Sequence, residues 1–258
     1  MEKIVSTEFI VSFAISFAIT GIFPIVLLII LGVKRKINAA PLFMGAGAFF
    51  VSQVLIRIPI INVLSTQEWF QDFAASQLIL YVLILSFTAG LFEESARLGG
   101  ALLLKKHRTY KDIISFGLGH GLCEVVMLIG LSSIQNIVLA VMLNNGSIYA
   151  VLPAETIDLL LNNLAVSTTA QVYLQILERF SAVLFHIFAT MLIFIGVIKK
   201  KKAVYYLLAL GAHTFFNFGL LLIAQYTNMY IMEAAALALG LAGGYFVLRQ
   251  KKIMTETE

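Results

Sequence analysis

Apolar runs long enough to cross a bilayer recur along this chain from end to end, and no other feature constrains its fold as strongly. They lie at 9–33, 40–62, 76–104, 112–134, 173–198, 203–224 and 229–248. Each holds the ~20 residues that a helix needs to span the hydrocarbon layer. In lipid every backbone amide must find its partner within the protein, so such runs fold as helices. Composition agrees: 60% of the 258 residues are hydrophobic and 12% are charged, too little polar surface for a soluble domain of this length. The sequence therefore predicts an all-α fold, a polytopic transmembrane helical bundle of about seven spans. It makes one transmembrane domain over 1–258, with no room for a large soluble module.

The net charge of +4 matters by position rather than as a total. Basic residues cluster at 34–36, at 105–108 with Lys111, at 199–202, and at Arg249, Lys251 and Lys252. Each cluster abuts an apolar span, which reads as a cytoplasmic anchor and not as a nucleic-acid surface. The other connections, near 63–75 and 144–172, carry no Lys or Arg. Placing the basic loops inside gives an outer amino terminus and a cytoplasmic carboxyl terminus. The first span is too long for a cleavable signal and ends on Lys34, Arg35 and Lys36, a stop-transfer pattern. Residues 133–172 leave two readings open, an extension of the fourth helix or a segment in the interface. Within them, 156–166 suits an amphipathic helix on the outer surface. The lone cysteine, Cys123, has no internal disulfide partner.

Ionisable groups inside a membrane are costly, so each one raises a functional question. The third span carries Glu93, Glu94 and Arg97; the fourth, His120 and Glu124; the fifth, Glu178, Arg179 and His186; the sixth, His213 and Asn217. Counting helical rise from the nearest basic loop places Glu93 and Glu94 ~15–18 Å deep, His120 ~12–14 Å, His213 ~16 Å and His186 ~20 Å. Four helices thus deliver polar groups to one layer in the cytoplasmic half. His120 and Glu124 share a helix face, as do His213 and Asn217, and Glu93 and Arg97. Adjacent Glu93 and Glu94 point apart, so one can face the cavity while the other pairs with Arg97. Gln53 and Arg57 read as helix pairing or a cavity wall.

The chemistry that fits is water activation. A buried glutamate serves as general base. Imidazoles from His120, His213 and His186, with Glu124, can hold a metal such as Zn2+ with a position open to water. Without a metal, histidine and asparagine can donate to an oxyanion instead. Two other functions use the same band: a metal-dependent hydrolase of lipid amides or esters, and a transporter with a Glu/His ion pathway. Against the transporter, the spans show no convincing inverted repeat and few Gly- or Pro-broken helices.

At these residues the chain resembles the superfamily of CPBP and PrsW-like intramembrane proteases. The motifs are Glu93-Glu94-Ser-Ala-Arg97, Phe116-x-x-x-His120 and His213-x-x-x-Asn217, in that order on separate spans. Span number and the additional Glu178-Arg179 and His186 element are most similar to the YhfC-type membrane peptidases. The resemblance covers about 76–224, the motif-bearing core. It implies a peptide hydrolase of a bacterial plasma membrane that cleaves a membrane-associated protein or peptide near the cytoplasmic face. It also implies Glu93 as general base with Glu94 as the alternative, His120 and His213 as metal ligands or polarising groups, and Asn217 as oxyanion donor. The Glu-Glu to Arg97 spacing is closer to the PrsW form, which carries Lys there, and Asn217 stands where that form has aspartate. Both a metal-dependent and a metal-free glutamate mechanism fit the superfamily; three histidines favour the metal.

Overall fold

The computed structural model describes residues 4–166 and 168–255, and among them every regular element is helical. Seven helices are long and apolar enough to cross a membrane. They are α1 (Thr7–Val33), α2 (Ala39–Ser65), α4 (Leu78–Leu103), α5 (Tyr110–Asn145), α7 (Thr169–Ile198), α8 (Lys202–Tyr226) and α9 (Met229–Thr255). Two shorter helices join them, α3 (Glu68–Ser76) and α6 (Ala154–Val166). The connection expected near 63–75 is thus largely helical, with Phe70 buried and its ring edge-on to Tyr81. Large side chains such as Ile29, Leu55, Leu207, Phe215 and Leu248 stay exposed. Water would penalise that apolar surface, whereas lipid does not.

The chain divides into two compact units, Met1–Ile29 with Val125–Arg179 and Ile30–Glu124 with Phe180–Glu258. In the first, the amino-terminal part of α1 packs along the carboxyl-terminal part of α5. Phe9, Phe13, Ala140, Leu143, Ile148 and Ile157 form its core. A buried polar seam runs beside them, where Ser133 Oγ donates to Ser16 Oγ at 2.9 Å. The unsettled stretch resolves into an extended fourth span. α5 runs through a π-helical stretch, Val125–Gly130, to Asn145, and Gly146 ends it at φ 77°. Glycine takes that left-handed cap without steric cost. Helix α6 then covers the stretch expected to be amphipathic.

In the second unit α2 packs against α5, α8 against α4, and α9 against α8. Met191, Ile193 and Phe194 of α7 lie at the core with Ile113, Phe116 and Ala209. α7 is the enclosed helix: 72% of its most apolar window is buried, against 22–39% in the other spans. A glycine on each helix sets the spacing of α2 and α5. A Cβ at Gly119 would lie 2.0 Å from the carbonyl oxygen of Leu42, and one at Gly45 would lie 2.0 Å from that of Phe116. Small residues let the two backbones touch there, as interfaces between membrane helices favour. Gly119→Ala must therefore push α2 off α5. We expect it to cost about 1–3 kcal/mol, read as a lower melting temperature of the detergent-solubilised protein; an unchanged melting point would refute this packing.

The basic loops gather on one face. Asp112 accepts hydrogen bonds from Asn38 Nδ2 at 2.5 Å and from Thr109 Oγ1 at 2.7 Å. The Thr109 N–H also donates to Asp112 Oδ2 and the Asp112 N–H to Thr109 Oγ1, a capping box at the start of α5. This joins the α1–α2 connection to the α4–α5 connection. Helices α1 and α7 leave the bundle alike. Arg35 (φ 51°) and Lys200 (φ 57°) take the left-handed position at their carboxyl ends, with Lys36 N–H donating to Leu31 O and Lys201 N–H to Gly196 O, each at 2.8 Å. Glycine usually fills that position. Here cations fill it, in favourable contact with the helix dipole.

Candidate active site

The polar groups of α4, α5, α7 and α8 converge in the second unit. Glu93, Glu94, Arg97, His120, Glu124, His186, Thr190 and His213 are all buried. Arg97 is their hub. Its Nη1 donates to His186 O at 2.6 Å and to Thr190 Oγ1 at 2.8 Å. Its Nε lies 3.2 Å from Glu94 Oε2, and its Nη2 lies 3.1 Å from both His120 Nε2 and His186 Nδ1. Glu93 stands further off, 4.0 Å from Nη2. The adjacent glutamates differ: Glu94 pairs with Arg97 and also meets His213, while Glu93 faces His120 and His186.

Donor and acceptor rules fix how the rings sit. A guanidinium only donates, so His186 Nδ1 accepts from Arg97 and the ring proton is on Nε2. That Nε2–H points at Glu124 Oε2, 2.5 Å away. Two contacts on opposite sides of one ring thus demand the same tautomer. His213 Nδ1 lies 2.8 Å from Glu94 Oε1 and donates to it, which leaves its Nε2 lone pair facing Glu93 Oε1 at 3.9 Å. Carboxylates thereby orient two of the three rings and turn the unprotonated nitrogen of each toward Glu93, that of His186 also accepting from Arg97. Glu93 Oε2 lies 3.8 Å from His186 Nδ1 and 2.9 Å from His120 Nε2.

His120 is the unsatisfied member. Its Nδ1 is buried without a hydrogen-bond partner. If Nε2 accepts from Arg97, the Nδ1–H has no acceptor; if Nε2–H donates to Glu93, the Nδ1 lone pair is unused. Buried polar groups are seldom left this way. Glu93, His120 and His186 bring one ligand atom each within 4.8 Å of one another, an N2O donor set of the type zinc takes. The donor types fit a metal, with Arg97 Nη2 lying against a ring nitrogen of each histidine.

His213 and Glu124, expected as ligands beside His120 and His186, stand outside that group: His213 on Glu94, Glu124 on the far nitrogen of His186. Asn217 lies one turn beyond His213, half-buried, and among the described residues its amide makes no hydrogen bond. Phe116 is core, its ring edge-on to Phe194 at 5.5 Å. Gln53 and Arg57 pair helices, with Arg57 Nη2 donating to Leu85 O at 2.7 Å and Gln53 Nε2 to Ala89 O at 3.3 Å. Glu178 and Arg179 pair with each other. Thr190 is the residue that sequence reasoning missed. Its only signal was the i,i+4 spacing from His186, whose carbonyl its hydroxyl meets at 2.7 Å.

An apolar pocket of about 240 Å³ adjoins the cluster between α7, α8 and α9, lined by Phe185, Phe188, Phe215, Phe216 and Leu239 among others. Phe185 separates it from the histidines, stacked on Phe216 at 4.5 Å and edge-on to His213 at 5.3 Å.

Comparison with known proteins adds a family. The sequence model described as YhfC intramembrane metalloprotease matches residues 19–238. "Uncharacterized membrane protein YhfC" of Bacillus subtilis (strain 168) is 30% identical over 262 residues, covering 96% of this chain and 99% of that one. No solved structure matches.

Proposed function

The chain belongs to the YhfC intramembrane metalloprotease family, and on that footing we propose that it hydrolyses a peptide bond in a membrane-associated protein or peptide. The reaction takes place near the cytoplasmic face of a bacterial plasma membrane, with the amino terminus outside. The observation that carries this reading is the convergence of the buried Glu93, His120 and His186, whose ligand atoms lie within 4.8 Å of one another.

Glu93, His120 and His186 would hold the ion, Zn2+ by donor type. A bound zinc supplies a water of lowered pKa and polarises the substrate carbonyl. The chain's own groups do the rest. Glu93 takes the proton of the attacking water as general base. His213, held through Nδ1 by Glu94, presents Nε2 to the same carboxylate and passes the proton to the departing amine. Asn217, free to donate, meets the oxyanion formed at the carbonyl. Arg97 orders the cluster through Glu94, His120 and His186, and Glu124 holds the His186 ring through its Nε2.

Metal analysis of the purified protein tests this reading. Wild type is expected to carry about one ion per chain at the single site that these ligands form, and His120→Ala and His186→Ala to lose it. Glu124→Gln is expected to keep the metal with affinity weakened about 10–100-fold, the usual cost of removing an orienting partner. Metal retained in full by both histidine variants would overturn the assignment. In cells, new peptide termini that appear in membranes with the wild type and not with His213→Ala would mark the substrates. A change confined to lipids would replace the peptidase reading with a lipid hydrolase.

A further inference from the structure

A second pocket lies where the α4–α5 and α7–α8 connections meet on the basic face, and the Glu–His cluster has no part in it. Arg108, Lys200 and Lys202 line this hollow of about 650 Å³ against an apolar wall that includes Leu102, Val197 and Ile198. The described residues give none of the three cations an ion pair or an acceptor. The Nε of Arg108 is buried and unpartnered. Helix α8 also begins here. Its amino end has no side-chain cap and no acidic residue in the first turn, so its leading N–H groups are open to an anion.

Three like charges around one hollow repel each other, and a buried guanidinium N–H without an acceptor is costly. One anion among them relieves the repulsion. Membrane anchors of the ordinary positive-inside kind need only reach the headgroups, as the exposed Lys34, Arg35 and Lys36 do. Arg108 is instead half-buried and turned into a cavity. The apolar wall, built from the last residues of α4 and α7, lies where an acyl chain would begin. We propose that this pocket binds the phosphate of an anionic lipid at the membrane surface. The proposal is independent of the proteolytic reading.

Backbone geometry supplies a clean variant. Lys200 holds a left-handed position that glycine prefers, so Lys200→Gly removes a charge while suiting the fold. Wild type and variants would be placed in nanodiscs of phosphatidylcholine containing phosphatidylglycerol, and retained lipid measured by native mass spectrometry. Lys200→Gly and Arg108→Gln are each expected to weaken phosphatidylglycerol retention about fivefold. Lys34→Gln together with Lys36→Gln, on the other loop, should leave it unchanged. Equal retention by Lys200→Gly, Arg108→Gln and wild type would overturn the pocket, as would an equal loss in the Lys34 and Lys36 variant, the mark of diffuse attraction. Inorganic phosphate that displaces the lipid and stabilises the protein equally in phosphatidylcholine alone would make free phosphate the ligand and sink the lipid assignment.

Discussion

Glu93→Gln is expected to lower peptide-bond hydrolysis by about 10²–10⁴-fold, the contribution of a placed general base, while the folded protein survives. Glutamine has the shape of glutamate and keeps a polar contact toward His120 Nε2, 2.9 Å from the carboxylate. It has no basic oxygen for the proton of the attacking water, and it also gives up the anionic oxygen that Glu93 would offer an ion. The stability cost should be small because Glu93 is not the partner on which Arg97 depends; that guanidinium reaches Glu94 at 3.2 Å and Glu93 only at 4.0 Å. Glu94→Gln should behave in the opposite way. It removes the countercharge of Arg97 and the acceptor of His213 Nδ1–H, so it should lose stability along with activity. Cleavage would be scored from membrane peptides of cells expressing each variant, with folding checked by melting of the purified protein. Glu93→Gln at more than a tenth of wild-type turnover would move the base to another residue.

The bundle was legible because lipid imposes one rule, and a run of some twenty apolar residues obeys it openly. All seven spans follow from that rule. It fails at Ser132, Ser133, Gln135 and Asn136, where polar residues interrupt the fourth run, yet the helix continues to Asn145. There Ser133 is buried against Ser16, and such polar side chains act as glue between helices instead of ending them. The layer of histidines and glutamates was visible from helical rise alone. Its inner arrangement was not. His186 counts as the deepest of the three histidines along its own helix, yet it contacts Arg97, Glu124 and Glu93. Counting from a loop fixes depth along one axis and says nothing of how far a long guanidinium reaches sideways. Nor does sequence show that Glu124 sits on the outer nitrogen of His186, because ring orientation depends on what lies on both sides of it.

Arg97 should be the least replaceable residue of the chain. It is fully buried, and its planar fork meets groups on three helices at once: Glu94 on its own helix, the His186 carbonyl and Thr190 hydroxyl on α7, and the His120 ring on α5. Arg97→Met leaves the Glu94 carboxylate charged and unpaired inside the membrane, at a cost of about 3–5 kcal/mol. We expect little folded protein to accumulate. Arg97→Lys restores the charge but not the fork. A single ammonium cannot satisfy the carbonyl, the hydroxyl and the carboxylate in their separate directions, so the rescue should be partial. The decisive variant is Arg97→Met combined with Glu94→Gln. If the damage comes from an orphaned charge, neutralising Glu94 recovers part of what Arg97→Met lost, and the double variant is more stable than the sum of the singles by about 0.5–3 kcal/mol. Denaturant unfolding in mixed micelles would give that coupling. Strict additivity would mean that Arg97 and Glu94 do not depend on each other, and the buried pair at the centre of the site would then be a contact without energetic consequence.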